Sequence, residues 1–357
     1  MLLPRALAIL TTCIFLGGCS TDLELTAPYQ DITVVYGLIS KNANDGVNEQ
    51  TRHYLKINKA FLGDGDALVY ALVPDSSEYT DESLPQQDRY VEDIDNGAQY
   101  PLIDTLMPRD PGIFNSPLHK MYYFDASLDQ DHSYKVVVRV KGSTIEATTP
   151  VVNNISYVSG FLSENGTNRL NLFQGGEYKV IDMKYRSGAD GKRFDVFFRV
   201  RYAEDRGNGD IREENYRYKI GTTTSSSVSG NEELQLPVNG LTFFETLVSM
   251  MENDASINRR IFRGLDIEFE VADIELTTYL RLTEPISGIV EERPEYTNIT
   301  NGYGLFASRH FQTSRHIRLG PDTYVELVEG AATSGLGDLN FCVDPAPWVT
   351  DPDVVCN

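Results

Sequence analysis

Between residues 193 and 202 every second side chain is apolar. Phe194, Val196, Phe198, Val200 and Tyr202 fall on one face, while Arg193, Asp195, Arg199 and Arg201 share the other with Phe197. A period of two fits an extended strand with one face in a core. The turn residues Asp205-Arg-Gly-Asn-Gly-Asp210 follow, and residues 211–220 return. This predicts a long antiparallel hairpin and commits the second half of the chain to a sheet that must be covered on one side.

Similar signals recur along the chain. Residues 31–39 are rich in β-branched side chains, and residues 53–61 alternate with Leu55 and Ile57 on one face. Residues 133–140 and 143–149 flank Lys141-Gly142, a hairpin that ends at Pro150. A short helix is expected over residues 67–72, stopped by Pro74. A longer one is expected over residues 241–252, where Phe244, Leu247, Val248 and Met251 recur at helical spacing. Residues 263–284 read as strand, through Ile267, Phe269, Val271 and Ile274.

The expected fold is mainly β. An immunoglobulin-like β-sandwich over residues 29–152 precedes a larger antiparallel β-sandwich or barrel-like domain over residues 153–341, with one or two short helices. Residues 342–357 form a C-terminal loop in which Cys342 and Cys356, fourteen positions apart, are expected to pair in an oxidising compartment.

The N-terminus supplies an address. Arg5, an apolar run over residues 6–16, and Leu16-Gly17-Gly18-Cys19 read as a lipoprotein signal peptide over residues 1–18. The run is too short to span a bilayer. Cys19 is the expected lipidation site, followed by a polar tether over residues 19–28. A formal net charge of −21 over 357 residues repels phosphate backbones, which argues against nucleic-acid binding and for a membrane held through acyl chains.

Three segments together suggest a family: Val34-Val-Tyr-Gly-Leu-Ile39, Tyr54-Leu-Lys-Ile-Asn-Lys-Ala-Phe-Leu-Gly-Asp-Gly65, and Tyr296-Thr-Asn-Ile-Thr-Asn-Gly-Tyr-Gly-Leu-Phe-Ala-Ser-Arg309. In order and spacing the chain resembles the Bacteroidota envelope lipoproteins grouped as domain of unknown function 4249. The resemblance implies a lipid-anchored outer-membrane protein, at the cell surface more than on the periplasmic face, working near a TonB-dependent transporter. It transfers no catalytic residue.

The chemistry-bearing residues point away from catalysis. The five histidines have no H-E-x-x-H spacing, and the Ser-Gly pairs lack the G-x-S-x-G elbow, so no catalytic residue, metal or cofactor is assigned. His310 and His316, six apart, would share a face if their strand stayed extended. Asp64 with Asp66, Asp93 with Asp95, and Asp129 with Asp131 offer oxygen ligands for calcium, although Asx-turns explain such pairs more simply. The candidate ligand-binding set is Tyr296, Asn298, Asn301, Tyr303 and Phe306, since aromatic faces interleaved with amides suit a glycan or peptide. The competing reading is a turn that re-enters the sheet and packs its rings in the core. The expected function is a non-catalytic binding or accessory module for nutrient capture. A structural surface or fimbria-like subunit is the alternative, and an envelope hydrolase a weaker one.

Overall fold

The computed structural model describes residues 32–42, 50–60, 67–114, 117–163, 167–284, 295–330 and 339–356. The signal peptide, Cys19, the tether and the Asp64 and Asp66 pair lie outside them.

The chain is built mainly from strands: β1 (Ile32–Asn42), β2 (Thr51–Ala60), β3 (Arg89–Asp93), β4 (Gln99–Pro101), β5 (Ile103–Pro108), β6 (Leu118–Ala126), β7 (Ser133–Val140) and β8 (Ser143–Pro150) in the first half. The second half adds β9 (Ser156–Tyr157), β10 (Phe173–Gln174), β11 (Glu177–Tyr178), β12 (Val180–Arg186), β13 (Arg193–Asp205), β14 (Ile211–Thr224), β15 (Glu233–Asn239), β16 (Arg259–Ala272), β17 (Tyr303–Ile317) and β18 (Phe341–Val343). One nine-stranded sheet runs β14-β13-β16-β17-β1-β2-β6-β5, with β18 added to β16. It stays open, so the structure is a sandwich and the barrel-like alternative is not taken.

Two smaller sheets cover this long one. The sheet β4-β3-β7-β8 encloses a core with β1, β2 and β6, in which Val35, Leu55, Phe124, Val136 and Ile145 meet. The sheet β15-β12-β9 and the helix Gly240–Met250 cover β13, β16 and β17 over a second core of Phe194, Phe198, Phe243, Phe244 and Phe269. Each fully buried ring contributes roughly 2–3 kcal/mol of transfer free energy. Val151 belongs to the first core and Val152 to the second, and the first core also draws in Ile299 and Phe306 from far along the chain. The long sheet does not divide there, because β1 pairs in parallel with β17, Val34 opposite Tyr303 through Asn42 opposite Phe311.

That parallel seam depends on Gly304. Its φ of +117° is open to glycine alone, and a Cβ there would lie 2.0 Å from the Val35 carbonyl oxygen.

The alternating runs form the strands expected of them. The Lys141-Gly142 turn has positive φ at both residues, which matches the twist of a two-residue hairpin. The helix at Ala67–Ala71 is present and stops ahead of Pro74, which opens a second short helix, Pro74–Ser77, as a first-turn proline.

The strand reading of residues 263–284 is wrong beyond Ala272. Asp273 accepts the Leu276 N–H at 2.8 Å and caps the helix Ile274–Thr283. A third helix, Pro321–Glu329, exceeds the one or two expected after residue 152, and five short helices occur among the described residues. Cys342 on β18 is bonded to Cys356.

Candidate functional site

The aromatic and amide residues of 296–306 are tied into the structure around β17 rather than grouped together at the surface. Phe306 is 0 % exposed and packs in the first core with Ile299, so its ring is closed to a ligand. Asn298 explains the turn: its Oδ1 accepts the Phe306 N–H at 2.9 Å and its Nδ2 donates to the Phe306 carbonyl at 2.7 Å, as a paired strand would. Asn301, at a φ of +56°, donates to the Thr144 carbonyl at 2.9 Å. The Tyr296 hydroxyl donates to Glu275, and burial followed by that carboxylate pushes its pKa up. Tyr303 alone presents its ring, at 47 % exposure. As a set these residues brace the entry to β17.

The histidine pair also separates. His310 is buried, with Nδ1 2.5 Å from the Lys41 carbonyl, whereas His316 is exposed at a φ of +56°. A bulge in β17, where Ile267 faces Ser314 and Leu265 faces Ile317, breaks the shared face.

The acidic turns are Asx-turns: Asp93 Oδ1 accepts the Asp95 N–H at 3.1 Å and Asp129 Oδ1 accepts the Asp131 N–H at 3.0 Å. They come together around His132, whose Nδ1 lies 2.8 Å from Asp93 Oδ2. That hydrogen bond raises the imidazole pKa. Burial would raise Asp93, but the hydrogen bonds from His132 and from the Asp95 and Asn96 backbone together outweigh it and hold the carboxyl low.

The outstanding concavity lies elsewhere, on the open face of the long strands. The alternation that buries Phe198 and Val200 turns Arg199 and Arg201 outward, and β14 and β16 set carboxylates beside them. Arg199 forms a two-toothed pair with Glu268 and donates to Asn215 Oδ1 at 2.6 Å. Arg217 bridges Glu268 at 2.7 Å and Glu270 at 2.5 Å, with its guanidinium 3.5 Å from the Phe197 ring centre. Burial alone would raise the Glu268 carboxyl; the bonds from Arg199 and Arg217 together prevail and hold it below its ordinary value. Arg201 Nε lies 3.0 Å from Asp266 Oδ2 but off the hydrogen-bonding direction, while its Nη2 donates to Asp266 Oδ1 at 3.2 Å.

Two bulges flank the same point of β16 and bend the sheet into a cleft. On one side Gly264 faces Arg201 and Phe262 faces Tyr202, leaving Arg263 as the extra residue. Gly264 has a φ of +146°, and a Cβ would lie 2.9 Å from Arg201 Nη2, so glycine lets the guanidinium approach. On the other side is the β17 bulge, where the His316 N–H donates to Asp266 Oδ1 at 2.9 Å. Beyond it β18 pairs with residues 260–262 of β16, and the segment after β18, tied by the disulfide, walls off the end of the cleft. Trp348 stands there with the Arg318 guanidinium 4.9 Å from its ring centre.

The resulting cleft encloses about 600 Å³, lined by Arg199, Arg201, Arg263, Glu213, Asp344 and Trp348 among others. Arg263 is itself clamped between Glu213 and Asp344, each at 3.0 Å. Two shallower hollows along the same face, about 320 and 360 Å³, also include Arg199. The cleft is therefore a rigid, near-neutral surface of guanidinium and carboxylate groups with an indole at one end. It can offer paired donors and acceptors to a polar ligand.

Sequence periodicity already put Arg199 and Arg201 on the open face. The β14 partners come with the same hairpin, but Glu268 and Asp266 on β16 lie 69 and 65 residues from Arg199 and Arg201, and the bulges have no short-range signal beyond Gly264.

No family model matches this chain, and no curated protein is similar to it. Among solved structures, it is similar to the C-terminal globular domain of an oligosaccharyltransferase from Pyrococcus abyssi, at 13 % identity over 68 % of this chain, with a TM-score of 0.25. The match takes in 46 % of that structure, so this chain spans about half of its length. A likeness that distant carries no argument about fold or activity.

Proposed function

We propose that this chain is a lipid-anchored, non-catalytic binding module of the bacterial outer membrane, which captures a polar nutrient for a neighbouring TonB-dependent transporter. The signal peptide and Cys19 motivate the address, and the acidic body suits a hydrated envelope surface. The observation that carries the binding role is the clamped Arg199, Arg217, Glu268 and Glu270 array leading to Trp348. Interlocked charges of this kind hold donors and acceptors in fixed directions, which is what recognition of hydroxyl-rich or peptide ligands requires. A glycan or short peptide is the ligand class this surface fits.

The test is binding of the purified chain to glycan and peptide arrays, with Arg199→Ala beside it. Selective binding that falls at least about tenfold in the variant supports the reading, since a charge-assisted bond is worth about 1.5–3 kcal/mol. Equal binding by both proteins removes the cleft from the account. Independently, Cys19→Ala should release the chain from sedimented envelopes; retention there would remove the lipid anchor.

A further inference from the structure

We propose that the apolar groove beside the start of β1 is a membrane-contact surface, which settles into the headgroup layer of the bilayer that holds Cys19. This rests on the lipid-anchored reading above. The groove encloses about 380 Å³ and is lined by Val34, Tyr36, Leu68, Tyr70, Ile113 and Phe114. Its apolar groups are turned outward: Leu68 is 60 % exposed, Ile113 63 % and Phe114 45 %, and Val69 and Leu72 next to Leu68 are equally open. Large apolar side chains crowded around one hollow mark a surface that something covers.

The position of the tether identifies the occupant. The described chain begins at Ile32, which pairs with Ala60, and Ala60 lines the groove. Residues 19–31 can reach at most about 45 Å even when fully extended. The lipid attachment therefore keeps this end of the long sheet within reach of the bilayer.

The rim has matching chemistry. Lys59 lines the groove, beside a Lys56 that is held by Glu78 at 3.1 Å, and the Arg109 guanidinium lies 4.6 Å from the Phe114 ring centre. In a chain of net charge −21, cations collected beside aromatic rings suit phosphate headgroups, with the alkyl stems lying along the apolar surface.

The experiment uses the full-length lipidated chain carrying Phe114→Trp, reconstituted in vesicles of phosphatidylethanolamine and phosphatidylglycerol with brominated acyl chains. The unsubstituted chain, whose single Trp348 lies in the cleft, is the reference. Flotation with the vesicles and mass analysis at Cys19 report the anchor separately from the surface. The expected result is flotation of both proteins, with the fluorescence added by Phe114→Trp quenched about twofold while Trp348 is not. A second variant, Leu68→Asp in the Phe114→Trp background, should lose that quenching and still float.

Flotation without quenching at position 114 overturns the membrane-contact proposal and leaves the anchor intact. Failure to float overturns both. Quenching absent in vesicles, with position 114 protected only when solubilised outer-membrane protein is added, assigns the groove to a protein partner and also overturns the proposal.

Discussion

Asp273→Ala should be among the most damaging single substitutions in the body of this protein. Asp273 is 0 % exposed, and its two oxygens join three elements. Oδ1 caps the helix Ile274–Thr283 through Leu276 N–H, while Oδ2 accepts the Thr149 hydroxyl of β8 and the Ser308 N–H of β17, each at 2.8 Å. Losing the cap costs about 1 kcal/mol. Leaving the Ser308 N–H buried without an acceptor costs about 1–3 kcal/mol more. The Thr149 hydroxyl keeps the Pro150 carbonyl at 3.1 Å, so its loss adds less, about 1 kcal/mol. The total is about 3–5 kcal/mol. Equilibrium urea unfolding of Asp273→Ala, Thr149→Val and the double variant would measure it. The two substitutions should couple by about 1 kcal/mol because they break one shared bond. A loss below about 1 kcal/mol for Asp273→Ala, or strict additivity in the cycle, would refute the reasoning.

Other expectations follow from the same geometry. Gly304→Ala forces a Cβ against the Val35 carbonyl at a φ of +117°, and should cost more than about 3 kcal/mol or prevent folding, as seen in thermal unfolding. The His132 and Asp93 pair sets a pH window: a raised imidazole contributes stability that is full below the ordinary value of 6.5 and fades as pH rises through its folded value, while a lowered Asp93 contributes above 3.8 and fails as pH falls. Stability measured against pH should therefore lose a component on both sides of that window, and His132→Gln should flatten the alkaline side. Reducing Cys342–Cys356 should cost about 3 kcal/mol in the chain-entropy model and open the end of the cleft, seen as greater quenching of Trp348 by iodide.

Much of the fold is legible in the sequence where the signal is local. Phe194 to Tyr202 alternate and form β13; Lys141-Gly142 turns the β7–β8 hairpin; Phe244, Leu247 and Met251 mark a helix face. Residues 273–283 misled because Thr277, Thr278 and Ile274 favour strands, and the capping carboxylate of Asp273 outweighs that preference. The aromatic and amide segment is harder to read for a related reason. Tyr296, Asn298, Asn301 and Phe306 have a ligand-like composition, yet Asn298 spends its amide on the Phe306 backbone and Phe306 fills the core. The cleft needs register between strands far apart in the chain, together with two bulges, and neither is encoded at short range.

The parallel seam between β1 and β17 has a consequence for the order of events during synthesis. Until residues 303–317 have been made, the first strand lacks a neighbour on one side, and the sheet cannot be completed. A chain threaded across a membrane from its amino end would thus remain incompletely assembled for most of its passage. Contacts of such long separation delay closure until nearly everything has arrived.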